Sequence, residues 1–231
     1  MWRHVSKCCK FNSRSVALRL EPDRILNIVH FQTFVMARRN DHTREELIAL
    51  TLETVKDFLS DNSYHDLSLR KVANMIGYVP STLVNVFGSY NLLLLHAVAQ
   101  TLDELASEAK LVVEQSTDTT TALYHLAHCY HDFAQRHPHR WQLIFEHNMN
   151  GDVLPEWQAE RIANMTGMLE QLLSQLAPQR NSKEVLQASR VLWSGVHGIT
   201  LLSVDDKFFA AEPIEGKKLI DNLLSSYIAN W

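Results

Sequence analysis

The stretch that decides the fold is Leu69–Phe87, which reads LRKVANMIGYVPSTLVNVF. Its first half repeats apolar residues at i, i+3, i+4 and i+7, the spacing of a helix with one buried face, at Leu69, Val72, Ala73 and Ile76. Gly77 then supplies a turn that needs a positive φ. The second half places Leu83 and Phe87 one helical turn apart, and it turns three polar side chains the other way: Ser81, Thr82 and Asn85.

A helix pair of this size cannot bury its own core, so its apolar faces must pack on a neighbouring helix. The second helix then carries a short polar face outward, the geometry of a helix-turn-helix that reads a DNA major groove. At about 100° per residue, Asn85 lies opposite the buried side, where its amide can pair with an adenine edge. Val84 and Val86 occupy the flanks, which would meet the phosphates. Pro80 suits the first helical turn because its ring presets φ, whereas Val79 is a poor N-cap.

The same stretch resembles the DNA-binding unit of TetR/AcrR-type transcriptional regulators, whose pattern runs roughly I-A-x-x-A-G-V-S-x-G-T-L-Y-x-Y-F-x-S-K-E-x-L. The positions that match are Val72, Ala73, Gly77, Thr82, Leu83, Phe87, Ser89 and Leu93. The positions that depart from it are Val79, Ser81, Val84, Val86 and Tyr90. The resemblance implies an all-α protein, with an N-terminal three-helix helix-turn-helix domain over residues 36–100 and a C-terminal helical ligand-binding and dimerisation domain over residues 101–231.

The resemblance also implies a double-stranded DNA operator as a partner. Family members usually carry tyrosines at the flanks of the second helix and a lysine at the start of the next, and these groups suit phosphates. Here those positions hold Val84, Val86 and Tyr90, so we expect other side chains to hold the DNA backbone. The net charge of −4 gives no global attraction for nucleic acid, so the contacts must be local. The DNA-binding residues that we expect are Arg38, Arg39, Ser68, Tyr78, Pro80, Ser81, Thr82, Val84, Asn85, Ser89 and Tyr90.

Residues 1–35 differ from the rest of the chain, because basic residues outnumber acidic ones and polar side chains interrupt their apolar segment. Met36, followed by Arg38 and Arg39, is similar to the usual opening of a TetR-type chain. We therefore expect residues 1–35 to be an extension outside the working protein, with a genuine basic arm as the alternative. A secretory signal is not expected, because a compact apolar core with a small-residue cleavage site is missing.

Two stretches of the C-terminal half extend the resemblance to one subgroup of ligand domains. Trp193–Gly198 reads WSGVHG and is similar to the signature W-x-G-x-H-G, and His137–Phe145 resembles the pattern H-P-x-x-Y-x-L-x-F. The subgroup implies a pocket for a small-molecule effector, and the residues that we expect to line it are Tyr130, Phe133, Trp141, Phe145, Trp157, Trp193 and His197. Aromatic residues at helical spacing are also typical of plain core, and the sequence leaves both interpretations open.

The family dimerises through its last two helices, which correspond here to residues near 182–204 and 214–230. Gly195 and Gly198 put a ridge of small residues on the first of these helices. Because small residues allow close approach, this ridge indicates either a tight crossing within the chain or a contact between subunits. We expect a homodimer.

The composition disfavours several other classes of protein. No apolar run approaches the roughly 20 residues of a membrane helix, and an odd set of three cysteines favours a reducing cytoplasm over a disulfide framework. His125, His128 and His131 repeat every three residues and drift around their helix, so we expect no metal site, and no cofactor is implied. The motifs of hydrolases and nucleotide-binding enzymes are missing from the sequence, so we expect no enzyme.

The sequence therefore predicts an all-α, homodimeric transcriptional regulator, a repressor that a small-molecule ligand releases from DNA. Two alternatives stay open. The chain could share the fold and act mainly through a protein partner, or it could be a helical ligand binder with weak or no operator binding. The departures at Val84, Val86 and Tyr90 are what keep these alternatives open.

Overall fold

The computed structural model describes residues 42–205 and 215–231, and this part of the chain is all-helical, as the sequence predicts. With one short 3-10 turn at Tyr64–Asp66, the helices are α1 (Arg44–Asp61), α2 (Leu69–Met75), α3 (Pro80–Phe87), α4 (Tyr90–Glu114), α5 (Thr119–Arg136), α6 (Pro138–Glu146), α7 (Glu156–Leu176), α8 (Ser182–Asp205) and α9 (Gly216–Ile228). The expected extension at residues 1–35 and the arginines Arg38 and Arg39 lie outside the described residues.

Side-chain caps begin three of the N-terminal helices. Thr43 Oγ1 accepts from the Glu46 N–H, and the Glu46 carboxylate accepts from the Thr43 N–H, which makes a reciprocal capping box on α1. Ser68 and Ser89 cap α2 and α4, each accepting from the backbone N–H three residues on, at 3.2 and 3.0 Å. Gly77 makes the turn between α2 and α3 with a φ of 76°. These local signals explain where α1, α2 and α4 begin and where α2 ends.

The first core lies among α1, α2, α3 and α4. Val55, Val72, Leu83 and Leu93 are completely buried in it. Leu143 of α6 is also completely buried in this core, so a helix of the C-terminal half packs directly on the N-terminal helices. Burial of one such side chain contributes roughly 1.5–3 kcal/mol, so this contact holds α6 firmly against the helix-turn-helix.

The second core lies among α5, α7, α8 and α9 and includes the C-terminal half of α4. Leu102 of α4 still belongs to the first core and Leu105 already belongs to the second, so α4 runs across the expected domain boundary near residue 100. Ile220 and Leu224 of α9 are almost fully buried within the same chain. α9 therefore covers its own domain with these two side chains, in addition to the role in the dimer that the family resemblance implies for this helix.

The small-residue ridge of α8 marks a tight crossing within the chain. A Cβ built on Gly195 would come within 2.6 Å of Leu223 Cδ2 on α9, whereas one on Gly198 would have no heavy atom of a described residue within 4 Å. Of the two interpretations of this ridge, Gly195 fits the intrachain one.

In the part of the chain described here, no single helix is long and apolar enough to cross a membrane. α3 and α4 reach such a length and composition only when they are taken together, and they meet at a bend of 64°.

Candidate DNA-binding face and ligand cavity

The outward face of α3 carries the polar side chains that the helical period predicts. Leu83 and Phe87 point into the first core, while Ser81 and Asn85 are exposed and Thr82 is half-buried. None of these three polar side chains makes a hydrogen bond to another residue in the ranges 42–205 and 215–231. Their donors and acceptors are therefore available to base edges, and Asn85 can make the paired contact that an adenine edge requires.

Two exposed valines flank this polar face. Val84 on α3 and Val79 at its N-cap are 39% and 59% exposed, and Val79 makes no side-chain capping bond. Pro80 occupies the first helical position, which fits its missing N–H. Val86 is half-buried against the first core, so it is less available to DNA than the flank assignment implies.

The residues expected to hold phosphates have mixed surroundings. Ser68 and Ser89 use their oxygens as helix caps, which leaves each hydroxyl hydrogen free to donate. The Tyr78 hydroxyl lies 2.8 Å from His42 Nδ1 beside the start of α1. All three sit at the N-terminal ends of helices or in the turn before α3, where anionic groups are favoured.

Tyr90 corrects one expectation. Its hydroxyl is buried and finds no hydrogen-bond partner among the described residues, and its ring packs against the first core. Burial, with a smaller contribution from the nearby Tyr64, raises the pKa of Tyr90 to about 12. A hydroxyl that faces the protein interior cannot hold a DNA phosphate, so the role expected for Tyr90 is wrong.

α3 contains no lysine or arginine, so any cation beside its exposed face comes from a neighbouring helix. Arg44 Nη2 donates to the Val86 carbonyl at 2.8 Å and so fastens the end of α3 to α1. Arg70 is exposed on the first turn of α2 and forms no ion pair with a residue in the described ranges. The sequence analysis missed both arginines, although the position of Arg70 directly after the cap Ser68 and Leu69 could have marked it.

An apolar cavity opens among α5, α7 and α8, with one contribution from α9. Its empty space, the open mouth included, is about 630 Å³. Large side chains of its wall are Leu126, Tyr130, Met165, Leu169, Trp193 and Leu224. Two of the seven predicted ligand residues, Tyr130 and Trp193, therefore line it directly.

Three further predicted residues form an aromatic cluster behind Tyr130 and Trp193. His197 Nδ1 lies 2.7 Å from the Tyr130 hydroxyl, and the His197 ring stacks on Trp193 with centroids 5.4 Å apart. Trp141 and Phe145 close the cluster, at 5.1 and 4.4 Å from the His197 ring. Burial lowers the pKa of His197, so its ring is neutral around pH 7. Trp141 is completely buried, and its Nε1–H has no partner among the described residues.

Phe133 and Trp157 lie apart from the cavity. Phe133 is completely buried and meets His137 edge to face at 5.0 Å, which is a core contact. Trp157 lies at the start of α7 and stacks on His96 of α4, with centroids 4.8 Å apart. Helical spacing could not separate these two rings from the others, because it does not say which neighbouring helix each one faces.

The His96 ring continues the contact to α3. Its centroid lies 5.6 Å from that of Phe87, the last residue of α3, in an edge-to-face arrangement. Trp157, His96 and Phe87 thus form a row of three rings, which we call the ring ladder, from α7 through α4 to α3. Arg161 holds the α7 end of the ladder by donating to both oxygens of Asp103 on α4, at 2.9 and 3.1 Å.

A second connection between the halves is ionic. Arg140 of α6 is almost fully buried and donates to Glu104 Oε2 at 2.6 Å, while Lys56 of α1 donates to Glu104 Oε1 at 2.7 Å. Burial alone would raise the pKa of Glu104, but the two hydrogen bonds outweigh it and lower the pKa. One carboxylate of α4 therefore joins α1 to α6.

The histidines of α5 have separate partners. His125 lies 2.9 Å from Ser116 Oγ, and His128 lies 2.6 Å from Asp221 Oδ1 on α9. In the described ranges, no three His, Cys, Asp or Glu side chains are close enough to hold a metal ion.

Comparison with known proteins finds one family model, which matches the C-terminal half of the chain. Residues 123–227 match the model of the "Tetracyclin repressor-like, C-terminal domain". No curated protein matches the sequence. The narrower assignment to the W-x-G-x-H-G subgroup stays a prediction.

Solved structures share the fold at low sequence identity. A protein with unknown function from Rhodococcus sp. RHA1 superposes with a TM-score of 0.68 and 15% identity, over 84% of this chain and 97% of that one. A possible TetR family transcriptional regulator from Streptomyces coelicolor A3(2) gives a TM-score of 0.60 and 14% identity, over 79% and 97%. The TetR family transcriptional regulator PfmR from Thermus thermophilus gives 0.55 and 16%, over 78% and 97%. Residues 123–227 therefore resemble a tetracyclin repressor-like C-terminal domain, and the chain shares its fold with these solved structures.

Proposed function

We propose that the protein is a sequence-specific DNA-binding repressor that a small-molecule ligand releases from its operator. The observation that carries this proposal is the position of α4. Its N-terminal half packs under α3, its C-terminal half belongs to the core around the cavity, and the ring ladder joins it to α7. A change at the cavity can therefore reach the DNA-binding helix through direct contacts.

The contact with DNA would be made by the exposed face of α3. Ser81 and Asn85 would read base edges, and Thr82 would lie beside them. Val84 can offer only apolar contact, which suits the methyl group of a thymine. Ser68, Tyr78, Ser89 and the exposed Arg70 would hold the phosphates on either side.

Release would follow from two positions of α7 relative to α4. Met165, Thr166 and Leu169 of α7 line the cavity, and Trp157 at the start of the same helix carries the ring ladder. A ligand that binds one position of α7 better than the other shifts the population between them, and the ladder passes that shift to Phe87. Ligand binding then weakens operator binding, and operator binding weakens ligand binding by the same factor.

A homodimer is part of the proposal, with α8 and α9 as the interface. α8 carries three large apolar side chains that are about two-fifths or more exposed, at Leu186, Val191 and Leu201. Half-buried Leu219, Leu223 and Tyr227 repeat at i, i+4 and i+8 on α9. These surfaces support pairing with a second copy, since exposed apolar groups on adjacent helices favour association.

The decisive experiment is selection of genomic DNA fragments by the purified protein, followed by a gel shift on the enriched fragment. We expect a dimer to retard one fragment in the presence of excess nonspecific DNA. A double variant S81A/N85A should lose that selectivity, while N164A, an exposed amide on α7, should keep it. Absence of any enriched fragment would contradict the proposal.

A second candidate, binding of a protein partner through the helix-turn-helix face, rests on the two exposed valines and on the lack of cations in α3. Val79 and Val84 together offer apolar surface at the place where the family usually meets DNA. The same selection separates the two, because a protein-binding face would enrich no DNA fragment.

A further inference from the structure

The wall of the cavity offers almost no free hydrogen-bond donor to a ligand. Thr166 Oγ1 and Ser189 Oγ donate to carbonyls of their own helices at 3.2 and 2.9 Å, and the Tyr130 hydroxyl already bonds His197 at 2.7 Å. A charged group inside the cavity would lose its water without gaining a donor, which is costly. The part of a ligand that lies inside must therefore be apolar.

Arg190 is the exception in this wall. It contributes to the wall from α8, yet the residue is exposed, and its guanidinium forms no hydrogen bond or ion pair with any residue that the structure describes. An arginine can lay its methylene stem along apolar surface and keep its charged head in water. The cavity thus combines an apolar interior with one unpaired cation at its edge.

We propose that the ligand is an amphipathic anion, whose apolar body lies among α5, α7 and α8 and whose carboxylate is held at the mouth by Arg190. This inference rests on the proposed function, since it names the class of effector that would release the repressor. A guanidinium and a carboxylate can form two parallel charge-assisted hydrogen bonds. An alcohol with the same chain lacks the charge, and a cation with the same chain is repelled.

The test measures binding of three molecules that share one chain: decanoate, decanol and decyltrimethylammonium. Binding to the DNA-free protein is followed by calorimetry, with the quenching of tryptophan fluorescence as a second signal from Trp193. We expect decanoate to bind most tightly. The ratio of the dissociation constants of decanol and decanoate should fall about two- to fivefold in R190Q, because an exposed pair of this kind is worth little more.

Matched variants separate the charge of Arg190 from its packing. R190K keeps a cation and should retain most of the preference, whereas R190E should favour decyltrimethylammonium. K183Q removes an exposed cation from the same helix outside the cavity wall and should leave the ratio unchanged. A ratio that is the same in R190Q and the natural protein would overturn the proposal, as would failure of all three molecules to bind.

Sedimentation of R190Q covers the remaining possibility, that a second copy of the chain occupies this edge. A changed monomer–dimer equilibrium with an unchanged ratio would assign Arg190 to the subunit contact and overturn the proposal. The outcome is independent of DNA binding. A protein that prefers decanoate but selects no DNA fragment would contradict the proposed repressor function and leave the ligand class standing.

Discussion

Trp157 lies flat on His96, with 4.8 Å between the ring centroids and 11° between the ring planes. The two residues belong to α7 and α4, and the His96 ring also meets Phe87, at the end of α3, edge to face. Packed rings cannot slide past one another gradually, so a shift of α7 has to move or break this stack. The ring ladder is therefore a direct connection between α7 and α3 on which the coupling of cavity and DNA can be tested.

Replacing Trp157 by alanine should uncouple the ligand from the operator. We expect W157A to bind the operator with nearly natural affinity but to need much more ligand for release, because the stack that carries the shift is gone. Because Trp157 is half-buried, the substitution should lower the free energy of unfolding by roughly 1–3 kcal/mol. Operator binding titrated at several ligand concentrations measures the effect.

The control for this variant is W157F, which keeps a ring over His96 and should keep most of the response. An equal loss of response in W157F and W157A would argue against the ladder. The ladder would also be contradicted if W157A, compared at equal stability, released the operator at the same ligand concentration as the natural protein.

Acid should destabilise the protein through its buried and half-buried histidines. Burial is the largest cause that lowers the pKa of His96, His131, His137, His147 and His197. The unfolded chain, with a histidine pKa of about 6.5, then binds more protons than the folded one, so the free energy of unfolding falls as the pH drops below about 6.5. This loss of stability is complete once the pH is below the lowered pKa values that these histidines have in the folded protein.

Urea unfolding at about pH 7.5 and 5.5 checks this direction, in a range where most carboxylates stay ionised. His96 has a second contribution of the same sign, because the charge of Arg161 also lowers its pKa. We expect H96Q to show a smaller pH dependence than the natural protein. Stability that rises toward pH 5.5 would contradict the sign.

Local signals explain how much of this structure could be predicted from the sequence. The caps at Thr43, Ser68 and Ser89 and the turn at Gly77 are set by neighbours within four residues, and the structure confirms the turn that the sequence analysis predicts at Gly77. The helical period also found the buried and exposed sides of α3.

The sequence could not predict which residue of another helix each aromatic ring contacts. Trp157 and His96 are 61 positions apart, so nothing in their spacing predicts a stack. The error at Tyr90 has the same origin. Its position suits the DNA side, yet the direction of its hydroxyl depends on packing beside Tyr64, which no local pattern encodes.

Replacing Asn85 by alanine tests the reading face of α3. Its amide is exposed and has no partner in the described ranges, so the change should leave folding intact. We expect a loss of roughly 1–3 kcal/mol in operator affinity and a relaxed preference at one base pair. A gel shift on a panel of single-base operator variants measures both, with N164A as the matched control. If N85A kept the base preference of the natural protein, Asn85 would not read a base and another surface would have to do so.

Salt dependence tests how few cations hold the DNA backbone. Because α3 contains no lysine or arginine, we expect operator affinity to fall only slowly as the salt concentration rises. In a plot of the logarithm of the binding constant against the logarithm of the salt concentration, each neutralised phosphate contributes a slope of about −0.9. R70Q should weaken binding to all sequences alike and make the slope shallower by about one such step. K110Q, an exposed lysine of α4 far along the chain from α2 and α3, serves as its control. If R70Q left the salt dependence of operator binding unchanged, Arg70 would not contact a phosphate.

The glycines of α8 give the last prediction, because the same substitution should have opposite effects three residues apart. A Cβ on Gly195 would come within 2.6 Å of Leu223 Cδ2, so G195A must push α9 away or force Leu223 out of its rotamer, at a cost of roughly 1–3 kcal/mol. Gly198 has no described heavy atom within 4 Å of such a Cβ, and alanine is favoured over glycine inside a helix by about 1 kcal/mol. Thermal unfolding should therefore give a lower midpoint for G195A and an equal or higher one for G198A. If both variants unfolded at the same temperature, the close crossing of α8 and α9 at Gly195 would not exist in solution.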